Sequence, residues 1–260
     1  MSAFPVPRRA LCALGLLAIA FAGSAGAAEK TTVDLELILA IDVSGSIDPA
    51  EAKMQRDGYY AALPSPKVIQ AIETGAVGRI AVCYVEWAGA HYQHMVLDWT
   101  VIHDAASARD FISRLADVPP TSQRWTSISG AIDYAMTVFQ QSPFDSPRRV
   151  IDVSGDGSNN NGRSVLQARD EAVAAGVVIN GLPVVNDRPT MWGGAPEADL
   201  DKYYEENVIG GAGAFMIVAD SFEKFADAVL SKLILEVAGT PTGGPTRYSA
   251  LPVMAMPPIR

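Results

Sequence analysis

The chain has 260 residues, 49% of them apolar, with 29 acidic against 20 basic side chains and a net charge of −9. A length of that order holds one large α/β domain or two small ones. The acidic balance argues against nucleic-acid binding, which needs clustered Lys and Arg to meet phosphate, and suits the recruitment of cations.

In chain order, Arg8 and Arg9 give a basic start, residues 10–22 form a short apolar stretch, and Ser24-Ala25-Gly26-Ala27-Ala28 supplies small residues for signal peptidase. Residues 1–28 therefore read as a secretory signal peptide, with a weak twin-arginine signal at Arg8-Arg9. The apolar run is shorter than the ~20 residues that span a bilayer, so stable membrane insertion is not expected. Cleavage leaves 18 basic against 29 acidic residues, a charge of −11, and one cysteine, Cys83, which excludes an intrachain disulfide. Cys83 sits in an apolar run and reads as a small core residue.

From residue 34 onward, strand-like apolar runs at 34–41, 79–87, 93–99, 148–154, 177–184 and 213–219 alternate with helical patterns. That alternation predicts an α/β fold with a doubly wound, mostly parallel sheet and helices on both faces. The connection from Ala88 to Tyr92 is too short for a crossover, so one edge strand is expected to run antiparallel. Asp48-Pro49-Ala50-Glu51 offers an N-cap, a first-turn proline and a capping-box acid, and Asp220-Ser221-Phe222-Glu223 repeats the idea. Ile128, Ala131, Ile132, Ala135, Met136 and Phe139 mark one helical face. Residues 185–200 form a long polar loop of the kind that is usually functional or mobile. Residues 29–238 read as one domain, and 239–260, with five prolines and little charge, as a disordered tail.

The strand at 34–41 runs into Asp42-Val43-Ser44-Gly45-Ser46, which puts a carboxylate and two hydroxyls on the turn that leaves it. These are hard oxygen donors of the kind that hold Mg2+ or Mn2+. In an open α/β sheet, ligands sit at the carboxyl ends of strands near the point where strand order reverses. The strand at 148–154 ends in Gly155-Asp156-Gly157, and between the two lies Thr126 at the start of a helix. Asp42, Ser44, Ser46, Thr126 and Asp156 can thus converge as two carboxylates and three hydroxyls around one cation. A further position remains for water or an incoming carboxylate. The residues do not choose between Mg2+, Mn2+ and Ca2+.

Asp-x-Ser-x-Ser, then Thr126 before Ser127-Ile128-Ser129-Gly130-Ala131-Ile132, then a strand ending in Asp156-Gly157, resembles the von Willebrand factor A domain. The five residues match its metal-ion-dependent adhesion site, and the likeness spans about residues 33–238. More narrowly, Tyr84-Val85-Glu86-Trp87 and Val150 to Gly157 resemble an exported bacterial branch of that superfamily whose function is not assigned, and Asn180-Gly181-Leu182-Pro183 and Val208 to Phe215 fit it too. The resemblance implies Mg2+ or Mn2+ held by the protein, with an Asp or Glu of a partner protein completing the shell and no catalysis. Two carboxylates with three neutral hydroxyls keep the ion electrophilic toward such a ligand. Localisation is then periplasmic or extracellular.

Arg124 and Trp125, directly before Thr126, have the composition of an interface hot spot and are candidate partner contacts. Residues 155–162 look superficially like a phosphate loop but lack its Lys-Ser/Thr. Asp152 lies inside its strand, where it either orients a site loop or bonds backbone. Glu86 is a candidate supporting residue. His91-x-x-His94 has no evident third ligand, and no histidine is placed to activate Ser44 or Ser154. Tyr203-Tyr204-Glu205-Glu206 reads as a partly exposed helix face. The alternatives to partner capture are a metal-assisted hydrolase, which lacks an evident general base, and a purely structural metal.

Overall fold

The computed structural model describes Met1 and residues 30–185, 197–239 and 246–249. The signal segment, apart from Met1, and most of the 185–200 loop and of the tail lie outside the described residues. The strands are β1 (Thr31–Thr32), β2 (Glu36–Asp42), β3 (Ile80–Trp87), β4 (Gln93–Ile102), β5 (Phe144–Asp145), β6 (Arg149–Gly155), β7 (Val177–Pro183), β8 (Phe215–Val218) and β9 (Thr246–Ser249). The helices are α1 (Pro49–Ala62), α2 (Pro66–Glu73), α3 (Ala105–Ser113), α4 (Ile128–Gln140), α5 (Val165–Ala174), α6 (Leu200–Tyr203) and α7 (Phe225–Ala238).

The main sheet has the order β4-β3-β2-β6-β7-β8-β9, and β1 pairs with β5 in a small parallel ribbon apart from it. Among the described strands of the main sheet only β3 and β4 pair antiparallel, and β4 is its edge. This is the doubly wound, mostly parallel architecture expected. β2 is buried along its whole length because both of its faces are covered. Leu37, Leu39 and Ile41 join the core under α1, α2, α3 and α7, while Ile38 and Ala40 join the one under α4 and α5. The chain leaves β2 for β3 on one side and later returns to β6 on the other, so strand order reverses between β2 and β6. The carboxyl ends of those two strands form the crevice in which such sheets take ligands.

Local chemistry accounts for the helix starts. Asp48 accepts from the amides of Ala50 and Glu51 while Glu51 bonds back to the Asp48 amide at 2.9 Å, with Pro49 at the first position. The second expected cap is displaced: Ser221 makes no side-chain cap bond, and Phe222–Lys224 forms a 3-10 turn before α7 begins. The tail also differs from expectation, since its residues 246–249 pair parallel with β8. Thr-Arg-Tyr-Ser is β-prone despite its proline-rich flanks, and Tyr248 packs edge-on to Phe215 with ring centroids 5.8 Å apart. Among the described residues no helix is long and apolar enough to cross a membrane.

One buried cluster is polar. Lys232 of α7 is 0% exposed and ion-pairs with Asp152 of β6 at 2.6 Å and with Glu236 one turn on. Asn180 donates to Glu236 Oε1 at 3.1 Å and accepts from the Phe215 amide at 3.0 Å. Asp152 is therefore a core ion-pair residue and has no bond to a site loop. Burial first, then the nearby charge of Asp152, pushes the Glu236 carboxyl up to about 7 from its ordinary 4.5. Between those two values the folded chain holds a proton that the unfolded chain lacks, so this group's contribution is complete below about pH 4.5 and is lost as pH rises through 7. We expect urea denaturation in chelator to show Glu236→Gln losing less stability than the parent between pH 5 and 7.5, by up to about 3 kcal/mol. The charges facing Glu236 (Asp152, Lys232 and, through the field it exerts, Arg148) are common to both proteins, so parallel losses would mean Glu236 does not titrate in this window.

Candidate metal centre

Asp42 closes β2 and is fully buried. Its Oδ1 accepts from the Ser44 amide at 2.7 Å, an Asx-turn that aims the Ser44 and Ser46 hydroxyls outward. Those hydroxyls lie 3.0 Å apart, and the Ser46 hydroxyl donates to Asp156 Oδ1 at 2.6 Å. The turn after β2 and the turn after β6 are thus joined through side chains. The Gln123 amide bonds the Val43 carbonyl at 2.9 Å, laying the segment that carries Arg124, Trp125 and Thr126 beside the β2 turn. Behind that segment, buried Glu86 is held by Arg56 at 2.8 Å and accepts from Thr121 Oγ1 at 2.8 Å, while Arg56 also reaches the carbonyls of Val118 and Pro119. Glu86 thus braces the segment before Gln123 through Arg56 and Thr121.

The loop after Asp156 is a set of staples rather than a phosphate cradle. Asn160 Oδ1 accepts from the Thr126 amide at 2.9 Å, and the amides of Asn160 and Asn161 both return to the Thr126 carbonyl. Asn159 Oδ1 takes the Ser129 amide at 2.9 Å and Asn161 Oδ1 the Ala90 amide at 2.7 Å. Three successive asparagines thereby fix the start of α4, Thr126 and the β3–β4 connection.

Ser44, Ser46, Thr126 and Asp156 line a cavity of about 490 Å³, with Arg124 and Trp125 also in its wall. Asp42 lies behind the wall rather than in it. Trp125 holds a left-handed backbone, φ 68°, and is 57% exposed, with the Arg124 guanidinium 5.8 Å from its ring centroid. A bulky residue with positive φ carries strain, which collects at functional sites. Glu197, at the end of the long loop, also borders the cavity and accepts from the Ser158 amide at 2.8 Å.

A fully buried carboxylate beside a half-buried one is costly when both are charged. Burial first, then the Asp156 charge, holds the Asp42 carboxyl well above its ordinary range. Burial first, with Glu51 and Glu197 adding to it, pushes Asp156 to about 6. Asp42 Oδ2 is buried without a hydrogen-bond partner. A Cβ on Gly155 would stand 2.8 Å from that oxygen, so the missing side chain leaves the carboxylate its space. An orphan carboxylate oxygen, a second acid and three hydroxyls fit a hard divalent cation. The fit rests on that mixture, since among the described residues no three His, Cys, Asp or Glu are grouped to hold a metal. No third His, Cys, Asp or Glu is grouped with His91 and His94 among the described residues.

Three residues of the site escaped the sequence. Asn160 and Glu197 act through tertiary contacts that no spacing announces. Tyr204, read as part of a partly exposed helix face, is fully buried in a π-helical turn, Tyr204–Val208, that follows α6. Burial and the charges of Asp42 and Asp156 push its hydroxyl pKa far up.

Residues 32–241 match the family described as Protein of unknown function (DUF1194). The chain belongs to that family. A search of curated proteins finds no match. Among solved structures, proximal thread matrix protein 1 from the mussel byssus, with a zinc-occupied MIDAS motif, aligns at TM-score 0.58 and 17% identity over 81% of this chain and 49% of that one. The BatB protein from Bacteroides thetaiotaomicron aligns at 0.53 and 19% over 78% of this chain and 98% of that one. The von Willebrand factor type A structure from Catenulispora acidiphila aligns at 0.53 and 14% over 80% and 43%. At these identities the likeness establishes the fold, that of von Willebrand factor A domains, and this chain spans about half the length of the byssus protein.

Proposed function

We propose that this family member is an exported protein-binding module that takes a divalent cation, Mg2+ or Mn2+, at Asp42, Ser44, Ser46, Thr126 and Asp156 and captures an acidic side chain of a partner protein. The observation that carries the reading is the carboxylate pair at the strand-order reversal: buried Asp42, with an orphan oxygen behind the cavity wall, and half-buried Asp156, which shares that wall with the hydroxyls of Ser44, Ser46 and Thr126. When bound, the cation supplies a hard electrophilic centre for a carboxylate. Asp42 and Asp156 hold it by charge, and the three hydroxyls add donors without adding charge. Arg124 and Trp125 stand in the cavity wall, where an arginine meets acids that miss the ion and a tryptophan offers rigid apolar area. The zinc at the MIDAS motif of the byssus protein supports a divalent ion here. Among the described residues no histidine lines the cavity, and the reading is of binding without catalysis.

The test is capture from exported proteins with Mg2+, with chelator, and with the Asp42→Ala, Ser44→Ala double variant. A protein retained only by the intact chain with metal would support the reading; equal capture in all lanes would leave the fold without this activity. Trp125→Ala is expected to weaken that capture by tenfold or more, on the order of a hot-spot residue, while metal binding is kept. Unchanged capture would remove Trp125 from the interface.

A further inference from the structure

Tyr204 reaches the candidate metal centre from an element that contributes nothing else to it. Its hydroxyl is buried and has no hydrogen-bond partner, and Asp42 Oδ2 is in the same condition. The two orphans border the same space: a Cβ placed on Gly155 would lie 2.9 Å from the Tyr204 hydroxyl and 2.8 Å from Asp42 Oδ2. One water at most can stand between them. A phenol donates and a carboxylate only accepts, so the pair is complementary. Phenylalanine would fill the same space without burying a hydroxyl. The tyrosine opens a π-helical turn, an irregularity that often marks functional sites.

We propose that Tyr204 is a positioning residue of the metal centre, its hydroxyl donating to Asp42 Oδ2 directly or through one water. This rests on the metal-binding reading above and adds a residue outside the five-residue motif. A Tyr204 bond to Oδ2, added to the Ser44 amide already on Oδ1, would pin the Asp42 carboxylate at both oxygens. A pinned carboxylate meets the ion without first losing rotational freedom, and partners of this kind typically change metal affinity 10–100-fold. The same contact ties the site to the turn that follows the 185–200 loop.

The experiment is calorimetric titration of the purified protein with Mg2+ and Mn2+, for the parent and Tyr204→Phe, with urea denaturation of both in chelator. Electron paramagnetic resonance of the bound Mn2+ reports the symmetry of its surroundings. Tyr204→Phe is expected to bind either ion roughly tenfold or more weakly, to alter the Mn2+ spectrum, and to be at least as stable as the parent in chelator. Equal affinity with an unchanged spectrum overturns the proposal. A loss of stability in chelator that matches the loss of affinity makes Tyr204 a packing residue and overturns it too. No binding by the parent itself would overturn the metal reading as a whole, an outcome distinct from the other two.

Discussion

Lys232→Met is expected to destabilise the fold by about 3–5 kcal/mol, the range found when one member of a buried ion pair is removed. The reason is the company the ammonium keeps. It is fully buried, contacts both Asp152 and Glu236, and lies 5.5 Å from the Phe215 ring centroid. Removing it leaves two carboxylates in the core, one with an oxygen, Glu236 Oε2, that has no partner at all. Burial already raises the proton affinity of both acids, with the Asp152 charge adding to it at Glu236, and without Lys232 they must be neutralised or exposed. Against a total stability of roughly 5–15 kcal/mol, such a loss leaves a marginal protein. Equilibrium urea unfolding measures it, and the triple variant Lys232→Met, Asp152→Asn, Glu236→Gln should recover most of the loss because the stranded charges go with their partner. A single-variant cost below about 1 kcal/mol would mean the cluster is hydrated rather than dry.

That cluster also shows where sequence reading stops. Lys232 and Glu236 are four residues apart on a helix, the ordinary spacing of a solvated surface pair. Only the burial of α7 against the sheet turns them inward to meet Asp152, and that is a tertiary event. The strands were legible for the opposite reason. β2, β3, β6 and β7 are covered on both faces, so they are written as short continuous apolar runs bounded by turns. The β3–β4 hairpin was legible from its five-residue connection, and α1 from Asp48, Pro49 and Glu51. The five ligand candidates followed because each sits on the turn or helix start next to a strand, where local sequence decides geometry. Tyr204, Glu197 and Asn160 are brought to the same place by packing, and Tyr-Tyr-Glu-Glu carries no local sign that its second tyrosine is buried. β9 was missed because proline and low charge around Thr246–Ser249 read as disorder, while its pairing with β8 is a long-range contact.

Excess Mg2+ is expected to raise the melting temperature of the protein, and Asp42→Asn to reverse the ranking of the two proteins between metal and chelator. In chelator, Asp42 is a buried carboxylate beside another, with one oxygen unpartnered and its pKa raised by burial and by Asp156. Asparagine keeps the shape and the acceptor for the Ser44 amide and discards the charge, so the variant should melt above the parent there. In Mg2+ the order inverts. A ligand at one hundred times its dissociation constant stabilises the folded state by about 2.7 kcal/mol, which is roughly 5–10 °C for a domain of this size. Asp42→Asn loses a formal charge from a site that has only two carboxylates, so most of that increment should vanish. Scanning calorimetry of both proteins, with Mg2+ and with chelator, gives the four melting temperatures needed. Crossing lines place the cation at Asp42. Parallel lines, with the variant above the parent in both conditions, would show that Asp42 is a buried acid that does not hold the ion.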